Sequence, residues 1–337
     1  MNRVCEALGI EKPFIQGAMS WITNAEFVAA VSNAGGLGIL GPNAGQTELT
    51  PDPVETAERM RREIRKTREM TEKPFAVTLI GNGNSTSVFT MKILDVVIEE
   101  KVPVVLINSY GFPGMLGIDK DLLKPLKENK IKMVVRSILP SVEDAKVVEE
   151  QGADVYVATG FDEGGTLPPR IIGSFSILPM IKDAIHIPIC LAGGIADVRT
   201  ANAAFVLGAE GIYVGTRLLC TDECPVAPNV KELIARSGAT DLEIFRVAPS
   251  YYRSLPTKLR DKLMENEHSL NRDQTYEANK KLMGGTGGMR IGMLEGDLEN
   301  GYVSVGNGVS LFDKIMPVKD VVDELLSGYN EGMIKFS

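Results

Sequence analysis

Short apolar segments alternate with amphipathic segments along the first two thirds of the chain. Eight of the apolar segments are three to five residues long and, taken together, are rich in valine and isoleucine. Nearly continuous apolar runs of this length are typical of strands buried on both faces of a parallel sheet. The predicted strands are Pro13–Gly17, Leu37–Leu40, Phe75–Leu79, Val104–Ile107, Met133–Arg136, Val155–Ala158, Ile189–Ala192 and Ile212–Val214.

The segments between these strands have the spacing of amphipathic helices. Apolar residues recur at helical intervals in Glu26–Asn33 and Ser87–Glu99, and Pro53–Glu69 is a highly charged helix. Ser141 and Asp197 stand where N-caps of two later helices are expected. Eight strand–helix units predict an α/β protein with a closed (β/α)8 TIM barrel, and a doubly wound open sheet is the alternative.

The pattern changes after the eighth predicted strand. From Pro228 to about Leu282 the sequence predicts charged helices, and Val318–Leu326 is predicted to be the closing helix of the barrel. We therefore predict a barrel made of residues 1–225 and 310–337. Residues 226–309 are predicted to form a helical insertion and loops that cover the active end of the barrel as a lid.

Composition and charge narrow the classes of partner. The 337-residue chain has a formal net charge of −8, which argues against a nucleic acid or an anionic membrane surface as its partner. The sequence shows no apolar run long enough to span a membrane and no signal peptide, so we expect a cytoplasmic protein. Cys220 and Cys224 have a spacing that metal or redox pairs also use, but no second pair accompanies them. We expect reduced thiols and no metal site.

Glycine-rich turns follow the last two predicted strands. Gly193 and Gly194 come after the seventh strand, and Gly215 and Thr216 come after the eighth. Barrels bind phosphate at these two strand ends, where glycine lets backbone N–H groups approach an anion. The dipole of the following helix adds on the order of 0.3–1 kcal/mol, and the Thr216 hydroxyl could donate a further hydrogen bond. The sequence thus predicts a phosphate site, and simple tight turns are the alternative.

Several motifs, in a fixed order along nearly the whole chain, resemble those of one flavoprotein family. They are Pro13–Met19, Ala34–Gly38, Gly152–Asp154, Ala192–Ile195 with Asp197, Gly208–Arg217, Pro228–Asn229 and Glu295–Asp297 with Gly301. The sequence is similar in these motifs to the nitronate monooxygenase and enoyl-acyl-carrier-protein reductase II family, formerly called 2-nitropropane dioxygenases. This resemblance implies an FMN-binding barrel whose flavin exchanges electrons with NADH, NADPH or oxygen.

The resemblance also implies which residues hold the flavin. Those implied to line the isoalloxazine ring are Gly17, Ala18 and Met19, and those implied to hold the phosphate are Gly165, Gly193, Gly194, Gly215 and Thr216. The further candidate contacts are Thr78, Arg136, Thr159 and Gly164, which lie at strand ends and in the sixth loop.

The chain departs from the family pattern at the residue to which proton transfer is attributed. Family members usually carry a histidine directly after the Gly-Gly of the sixth loop, and this chain has Thr166 there. A threonine hydroxyl cannot accept a proton near neutral pH as an imidazole can. Thr78 stands where the family usually has an asparagine, and Asn307 stands where it usually has a glutamine. The chain's two histidines, His186 and His268, are expected to lie away from the site.

Other side chains could replace the missing histidine. Glu163 and Asp162 precede the Gly-Gly pair, and Tyr110 follows the fourth strand. The catalytic candidates are therefore Glu163, Thr166 and Tyr110. The alternative for the two carboxylates is that they only cap the following turn.

The sequence therefore predicts an FMN-dependent oxidoreductase. The favoured activity is NAD(P)H-dependent reduction of an enoyl thioester, a similar activated alkene or a quinone, with the substrate free or bound to an acyl carrier. The alternatives are a nitronate monooxygenase and a flavin-binding protein with lost or redirected catalysis. A homodimer is compatible with the sequence.

Overall fold

The computed structural model describes residues 2–81, 86–109, 114–247, 250–284 and 287–329. Its strands are β1 Phe14–Gln16, β2 Gly38–Leu40, β3 Phe75–Ile80, β4 Val104–Ser109, β5 Lys132–Ser137, β6 Val155–Thr159, β7 Thr166–Leu167, β8 Ile189–Ala192, β9 Gly211–Val214, β10 Glu243–Val247 and β11 Ser250–Ser254. Strands β1–β6, β8 and β9 form one parallel sheet. Each of these eight lies within two residues of its predicted bounds.

The parallel sheet closes on itself. Strand β1 pairs in parallel with β9, the last barrel strand, and a parallel bridge between Ile15 and Leu37 joins β1 to the segment that leads into β2. Helices surround the sheet, as each βα unit requires. The predicted (β/α)8 barrel is therefore confirmed, and the open sheet is wrong.

Several helices begin where the sequence supplies a capping side chain. The helices are α1 Arg3–Leu8, α2 Ala25–Asn33, α3 Pro53–Met70, α4 Val88–Glu99, α5 Lys120–Glu128, α6 Val142–Glu150, α7 Ser174–Lys182, α8 Val198–Val206, α9 Thr216–Leu219, α10 Pro228–Arg236, α11 Lys258–Ser269, α12 Arg272–Met283, α13 Gly287–Met289 and α14 Val318–Leu326. Ser141 accepts the Asp144 N–H at 3.1 Å, and Asp197 accepts the Thr200 N–H at 2.9 Å. Both predicted N-caps are confirmed, because each hydroxyl or carboxylate satisfies a helix N–H that has no partner within the helix.

Two apolar layers enclose the barrel strands. Ile15, Leu106 and Val134 belong to a cluster inside the barrel, whereas Val105 and Val135 pack between the strands and the helices. This alternation follows from the two-residue period of a strand. It also means that the inward residue nearest the C-terminal end of each strand faces the mouth of the barrel.

The sequence predicted only helices between Pro228 and about Leu282, but the structure also has two strands there. Strands β10 and β11 form an antiparallel hairpin, and β11 also pairs with β7, so that a three-stranded sheet stands beside the barrel mouth. Helices α11 and α12 pack on this hairpin, and Phe245 is buried between them. The hairpin was missed because its pairing partner Thr166–Leu167 lies more than 80 residues earlier in the chain.

Two predictions from composition concern membranes and thiols. Within the described ranges, no helix combines the length and the apolar character needed to cross a membrane. The four cysteines are buried in the fold, at positions 5, 190, 220 and 224. Burial raises the pKa of the Cys220 thiol to about 11 and that of Cys224 to about 12, so both are protonated thiols near neutral pH.

Candidate active site

A cavity of about 370 Å³ opens at the C-terminal ends of the barrel strands. Its volume lies within the range of roughly 300–1,000 Å³ that is usual for small-molecule sites, and barrels place their active sites at this end. The predicted cofactor contacts that line it are Gly17, Ala18, Met19, Arg136, Gly164, Gly165, Gly193, Gly194, Gly215 and Thr216. The catalytic candidates Glu163 and Thr166 line it too, whereas Tyr110 lies outside the described residues. Neither His186 nor His268 is among the lining residues.

Thr78 and Thr159 are predicted contacts that do not line the cavity. Both are buried, and neither hydroxyl has a hydrogen-bond partner among the described residues. For Thr78 the reason is the strand period, because Ile80, two residues further on the same face, reaches the cavity instead. Thr78 and Thr159 are therefore buried residues outside the cavity lining, and their roles as cofactor contacts stay predictions.

The turn after β8 has the backbone conformation of an anion-binding loop. Gly193 and Gly194 have φ angles of +102° and +77°, which side chains with a Cβ rarely adopt. A Cβ at Gly193 would also lie 2.9 Å from the Gly160 carbonyl oxygen. Successive N–H groups in such turns form concave sites that bind phosphate, and helix α8 follows directly. Thr216, on the neighbouring strand end, accepts the Gly306 N–H at 2.8 Å.

Asp162 stabilises the loop between β6 and β7. Its carboxylate accepts the Ser174 N–H at 2.8 Å at the start of α7, and the Asn307 side-chain amide at 3.1 Å. Burial alone would raise its pKa, but these hydrogen bonds hold the pKa of Asp162 below its ordinary value. The Asp162 carboxylate therefore has a structural role, as the capping alternative supposed, but its hydrogen bonds go to the start of α7 and to Asn307.

Arg253, which the sequence did not single out, holds the same loop from the hairpin. Its buried guanidinium donates to the Phe161 carbonyl oxygen and to the Asn307 side chain, and it lies 5.2 Å from the centre of the Phe161 ring. Asn307 stands where the family usually has glutamine, and its amide joins Arg253 to Asp162. Nothing local in the sequence indicates Arg253, because its partners lie 54 and 92 residues away.

Glu163 points into the cavity and forms an ion pair with Arg136. Of the described residues that line the cavity, these two are the only ones of the types Asp, Glu, Lys, Arg and His. Burial raises the pKa of the Glu163 carboxyl to about 7 against the attraction of Arg136. Among the described residues, Glu163 Oε1 and Arg136 Nε have no hydrogen-bond partner, and both atoms are themselves buried. The pair therefore places an acid and a cation at the site without using all of its hydrogen-bonding capacity.

Tyr213 is a second polar residue that the sequence interpretation missed. It lies on the inner face of β9, lines the cavity, and its hydroxyl accepts the Ala18 N–H at 2.8 Å. Burial raises the pKa of this phenol, so it is a neutral hydroxyl near neutral pH. The strand period could have identified Tyr213. It could likewise have identified Asn108, which lies two residues after inward-facing Leu106 and whose buried Oδ1 atom has no hydrogen-bond partner among the described residues.

The roof of the cavity comes from the segment after β9 and is largely apolar. Met289, Met293, Tyr252 and Tyr302 line it, and Met293 lies in a π-helical turn, Arg290–Leu294. Backbone contacts bring this segment close to the sixth loop, because a Cβ at Gly164 would lie 2.6 Å from the Val305 carbonyl carbon. No local signal predicted these residues, since their position depends on how the insertion folds back.

These features fit the FMN that the resemblance implied. The glycine turns after β8 and β9 suit a phosphate, and the apolar roof suits an aromatic ring. Asn108, Arg136 and Glu163 also line the cavity, so its wall carries polar groups beside the apolar roof. The polar pyrimidine edge of a flavin would suit such a wall.

Comparison with known proteins gives the chain's relatives. The family model described as nitronate monooxygenase matches residues 2–328. A probable nitronate monooxygenase of Staphylococcus saprophyticus is 33% identical over 73% of this chain and 76% of its own length. A Rhodococcus jostii (3aS,4S,5R,7aS)-5-hydroxy-7a-methyl-1-oxo-octahydro-1H-indene-4-carboxyl-CoA dehydrogenase is 28% identical over 96% of this chain and 94% of its own. The structure of FabK from Thermotoga maritima superposes with a TM-score of 0.82 and 33% identity, covering 97% of this chain and 95% of FabK.

Proposed function

The chain belongs to the nitronate monooxygenase family of FMN-dependent oxidoreductases, and we propose that within it this protein is an NAD(P)H-dependent reductase of an activated alkene. The favoured substrate class is an enoyl thioester carried by coenzyme A or an acyl carrier protein, and a quinone is the second class. Bound FMN supplies the transfer of two electrons as a hydride between the nicotinamide and the substrate.

The observation that carries the proposal is the buried carboxyl of Glu163 at the cavity. Alkene reduction needs one proton for the α-carbon, and a general acid works best when its pKa is near the working pH. Glu163 has a pKa of about 7, so near neutral pH a large fraction of it carries a proton. Thr166 offers only a hydroxyl at the position of the usual histidine, and Asp162 is occupied with its hydrogen bonds. We therefore assign Glu163 the role of proton donor, and Tyr110 stays a second candidate.

The residues proposed to hold the flavin are those that line the same cavity as Glu163. We propose that Gly193, Gly194, Gly215 and Thr216, with Gly165, hold the phosphate through backbone and hydroxyl donors. In this proposal Gly17, Ala18 and Met19 form the wall beside the ring, while Gly164 lets the lid approach it closely. Arg136 supplies a positive charge to the ring, and Thr78 and Thr159 support the floor from below.

The apolar roof favours a substrate with an uncharged acyl portion. Met289 and Met293 have flexible thioether side chains that adapt to irregular apolar shapes. The name of the Rhodococcus relative states a bicyclic carboxyl-CoA substrate, which is consistent with a thioester here. We further propose that residues 226–309 act as the lid over this substrate. The oligomeric state, for which we propose a homodimer, can be measured by analytical ultracentrifugation.

Nitronate oxidation is the alternative activity, because the family model and the staphylococcal relative carry that name. Thr166 lacks the base usual in the family, and a nitronate anion would meet the partly ionised Glu163 carboxyl in the same cavity. Both features disfavour this activity. A flavin-binding protein whose catalysis is lost or redirected is the remaining alternative.

Anaerobic stopped-flow mixing of the FMN-loaded protein tests the proposal. We expect NADH or NADPH to bleach the flavin within seconds, and crotonyl-CoA or a longer enoyl-CoA to restore its colour. Rapid bleaching by an alkyl nitronate, but not by either nicotinamide, would identify a nitronate monooxygenase instead. If neither donor reduces the flavin, the protein is not a reductase of this kind, and if only benzoquinone reoxidises it, the thioester assignment is wrong.

A further inference from the structure

We propose that reduction of the flavin loads Glu163 with the proton that the substrate receives, because Arg136 is shared between the carboxylate and the flavin. The inference rests on the proposed function and adds to it a coupling between the two halves of the reaction. The proton donor is then not a residue that happens to be protonated, but one that gains its proton each time electrons arrive.

The geometry of the pair supports this sharing. Arg136 rises from the inner face of β5, and Glu163 comes from the loop after β6, so one guanidinium nitrogen reaches the carboxylate at the side of the cavity. The Arg136 side chain is only 13% exposed, and both residues line the same space that would hold the flavin. The ion pair uses one guanidinium nitrogen, Nη2, and the remaining exposed part of the Arg136 side chain lies at the cavity. The guanidinium is therefore close enough to the cavity for its charge to act on a second anion there.

Electrostatics then link the flavin's charge to the carboxyl's proton. A reduced flavin carries an added negative charge, and charges interact far more strongly in a desolvated site than in water. A second anion beside Arg136 weakens the net stabilisation of the Glu163 carboxylate and repels it directly, and both effects raise a carboxyl pKa. Since burial already brings the pKa of Glu163 to about 7, a further increase places it above neutral pH.

Other ionisable groups near Glu163 do not replace this role. From β11, the Arg253 guanidinium adds a positive charge, but its hydrogen bonds go to Phe161 and Asn307. From β9, Tyr213 presents a neutral phenol that accepts the Ala18 N–H. On the loop itself, Asp162 is an anion fixed by Ser174 and Asn307. Of the described groups, Glu163 is therefore the one placed to change its charge in the cavity.

The step balances in electrons and protons. The nicotinamide donor leaves oxidised after giving two electrons and one proton as a hydride, and the site gains one negative charge. Glu163 takes one proton from solvent, so the charge of the site returns to its original value. Glu163 later gives this proton to the α-carbon as the β-carbon accepts the hydride, and it returns to the carboxylate.

The pH dependence of the flavin's midpoint potential tests this coupling without any substrate. The wild-type holoprotein is reduced in equilibrium with reference dyes between about pH 7.5 and 9. We expect it to take up two protons per two electrons, one on the flavin and one on Glu163. Each proton changes the potential by about 30 mV per tenfold change in proton concentration for a two-electron couple, so the slope is about 60 mV per pH unit. Glu163→Gln is expected to halve this slope.

Two further variants make the result specific. Arg136→Gln should also halve the slope, because Glu163 without its partner is already protonated in the oxidised protein. Asp144→Asn is the matched control, since Asp144 is another buried carboxyl whose pKa is raised by burial, but it does not line the cavity. Its slope should equal that of the wild type.

The outcomes separate this inference from the proposed function. A one-proton slope in the wild type, or equal slopes in the wild type and Glu163→Gln, overturns the coupling whatever the substrate is. If Glu163→Gln does not fold, Arg136→Gln and the wild-type slope still decide the question. The variants could have half the wild-type slope while no enoyl thioester reoxidises the protein. That result would support proton loading and show that the substrate assignment is wrong.

Discussion

Thr166 and Tyr252 stand opposite each other in an antiparallel pair of strands, and both line the cavity. The position that usually carries the family's histidine is thus held by backbone pairing to the lid hairpin. Because Thr166 lines the cavity from this pairing, we expect a side chain placed at residue 166 to face the cavity. The threonine in place of the usual histidine therefore changes the chemistry that this position offers.

Substitution at Thr166 should separate the two activities of the family. We expect Thr166→Ala to change the rate of flavin reduction by NAD(P)H by less than about tenfold, because a hydroxyl transfers no proton near neutral pH. Thr166→His should increase flavin reduction by an alkyl nitronate by about 100-fold or more, the usual contribution of an acid–base group. Anaerobic stopped-flow absorbance measures both rates. A loss of more than 100-fold in Thr166→Ala would show that this hydroxyl is essential to the reaction.

Gly193 should be needed for FMN binding more than for folding. Gly193→Ala puts a Cβ at a φ of +102° and 2.9 Å from the Gly160 carbonyl oxygen, so the turn must shift and FMN affinity should fall at least about tenfold. Gly208→Ala is a matched control with a φ of +101° outside the cavity lining. Both variants bear left-handed strain of about 1–2 kcal/mol, but only the first should change the Kd of FMN measured by fluorescence quenching. Equal affinities would exclude this turn from the phosphate site.

Glu163 should give the protein a characteristic pH dependence of stability. Its folded-state pKa of about 7 lies above the ordinary value of 4.5, so the folded state holds more protons than the unfolded state between these values. Its stabilising contribution is full below about pH 4.5 and is lost as the pH rises through about 7. Relative to Glu163→Gln, the free energy of unfolding of the wild type should fall by about 2–4 kcal/mol across this window. Urea unfolding at a series of pH values measures it, and a parallel dependence in both proteins would contradict the raised pKa.

Arg253 should contribute to stability through the sixth loop. Arg253→Met removes a buried guanidinium that bonds to Phe161 and Asn307, and we expect a loss of about 2–4 kcal/mol in the free energy of unfolding. Arg246→Met, on the neighbouring strand of the same hairpin, removes an arginine that is 44% exposed and paired with Glu267. Its effect should stay below about 1 kcal/mol, as for other surface ion pairs. Similar losses in the two variants, measured by urea unfolding, would show that Arg253 does not stabilise the loop.

The sequence by itself determined the barrel and the position of the glycine turns that we propose for the phosphate, because both features depend on local sequence patterns. A buried parallel strand is a short apolar run wherever it occurs, and a left-handed turn requires glycine at residues such as Gly193 and Gly194. The two-residue strand period would also have placed Tyr213 and Asn108 inside the barrel mouth. Helix bounds such as Val318–Leu326 followed from spacing alone.

Only the tertiary structure decided how the polar groups of the site are paired. Arg136 meets Glu163 across 27 residues, and Arg253 meets Asn307 across 54. Such pairs depend on how strands are staggered around the barrel and on how the hairpin folds back over its mouth. Residue type and spacing do not encode this geometry. For the same reason the sequence could name Glu163 as a candidate acid, whereas its burial, its raised pKa and its partner became evident only in the folded chain.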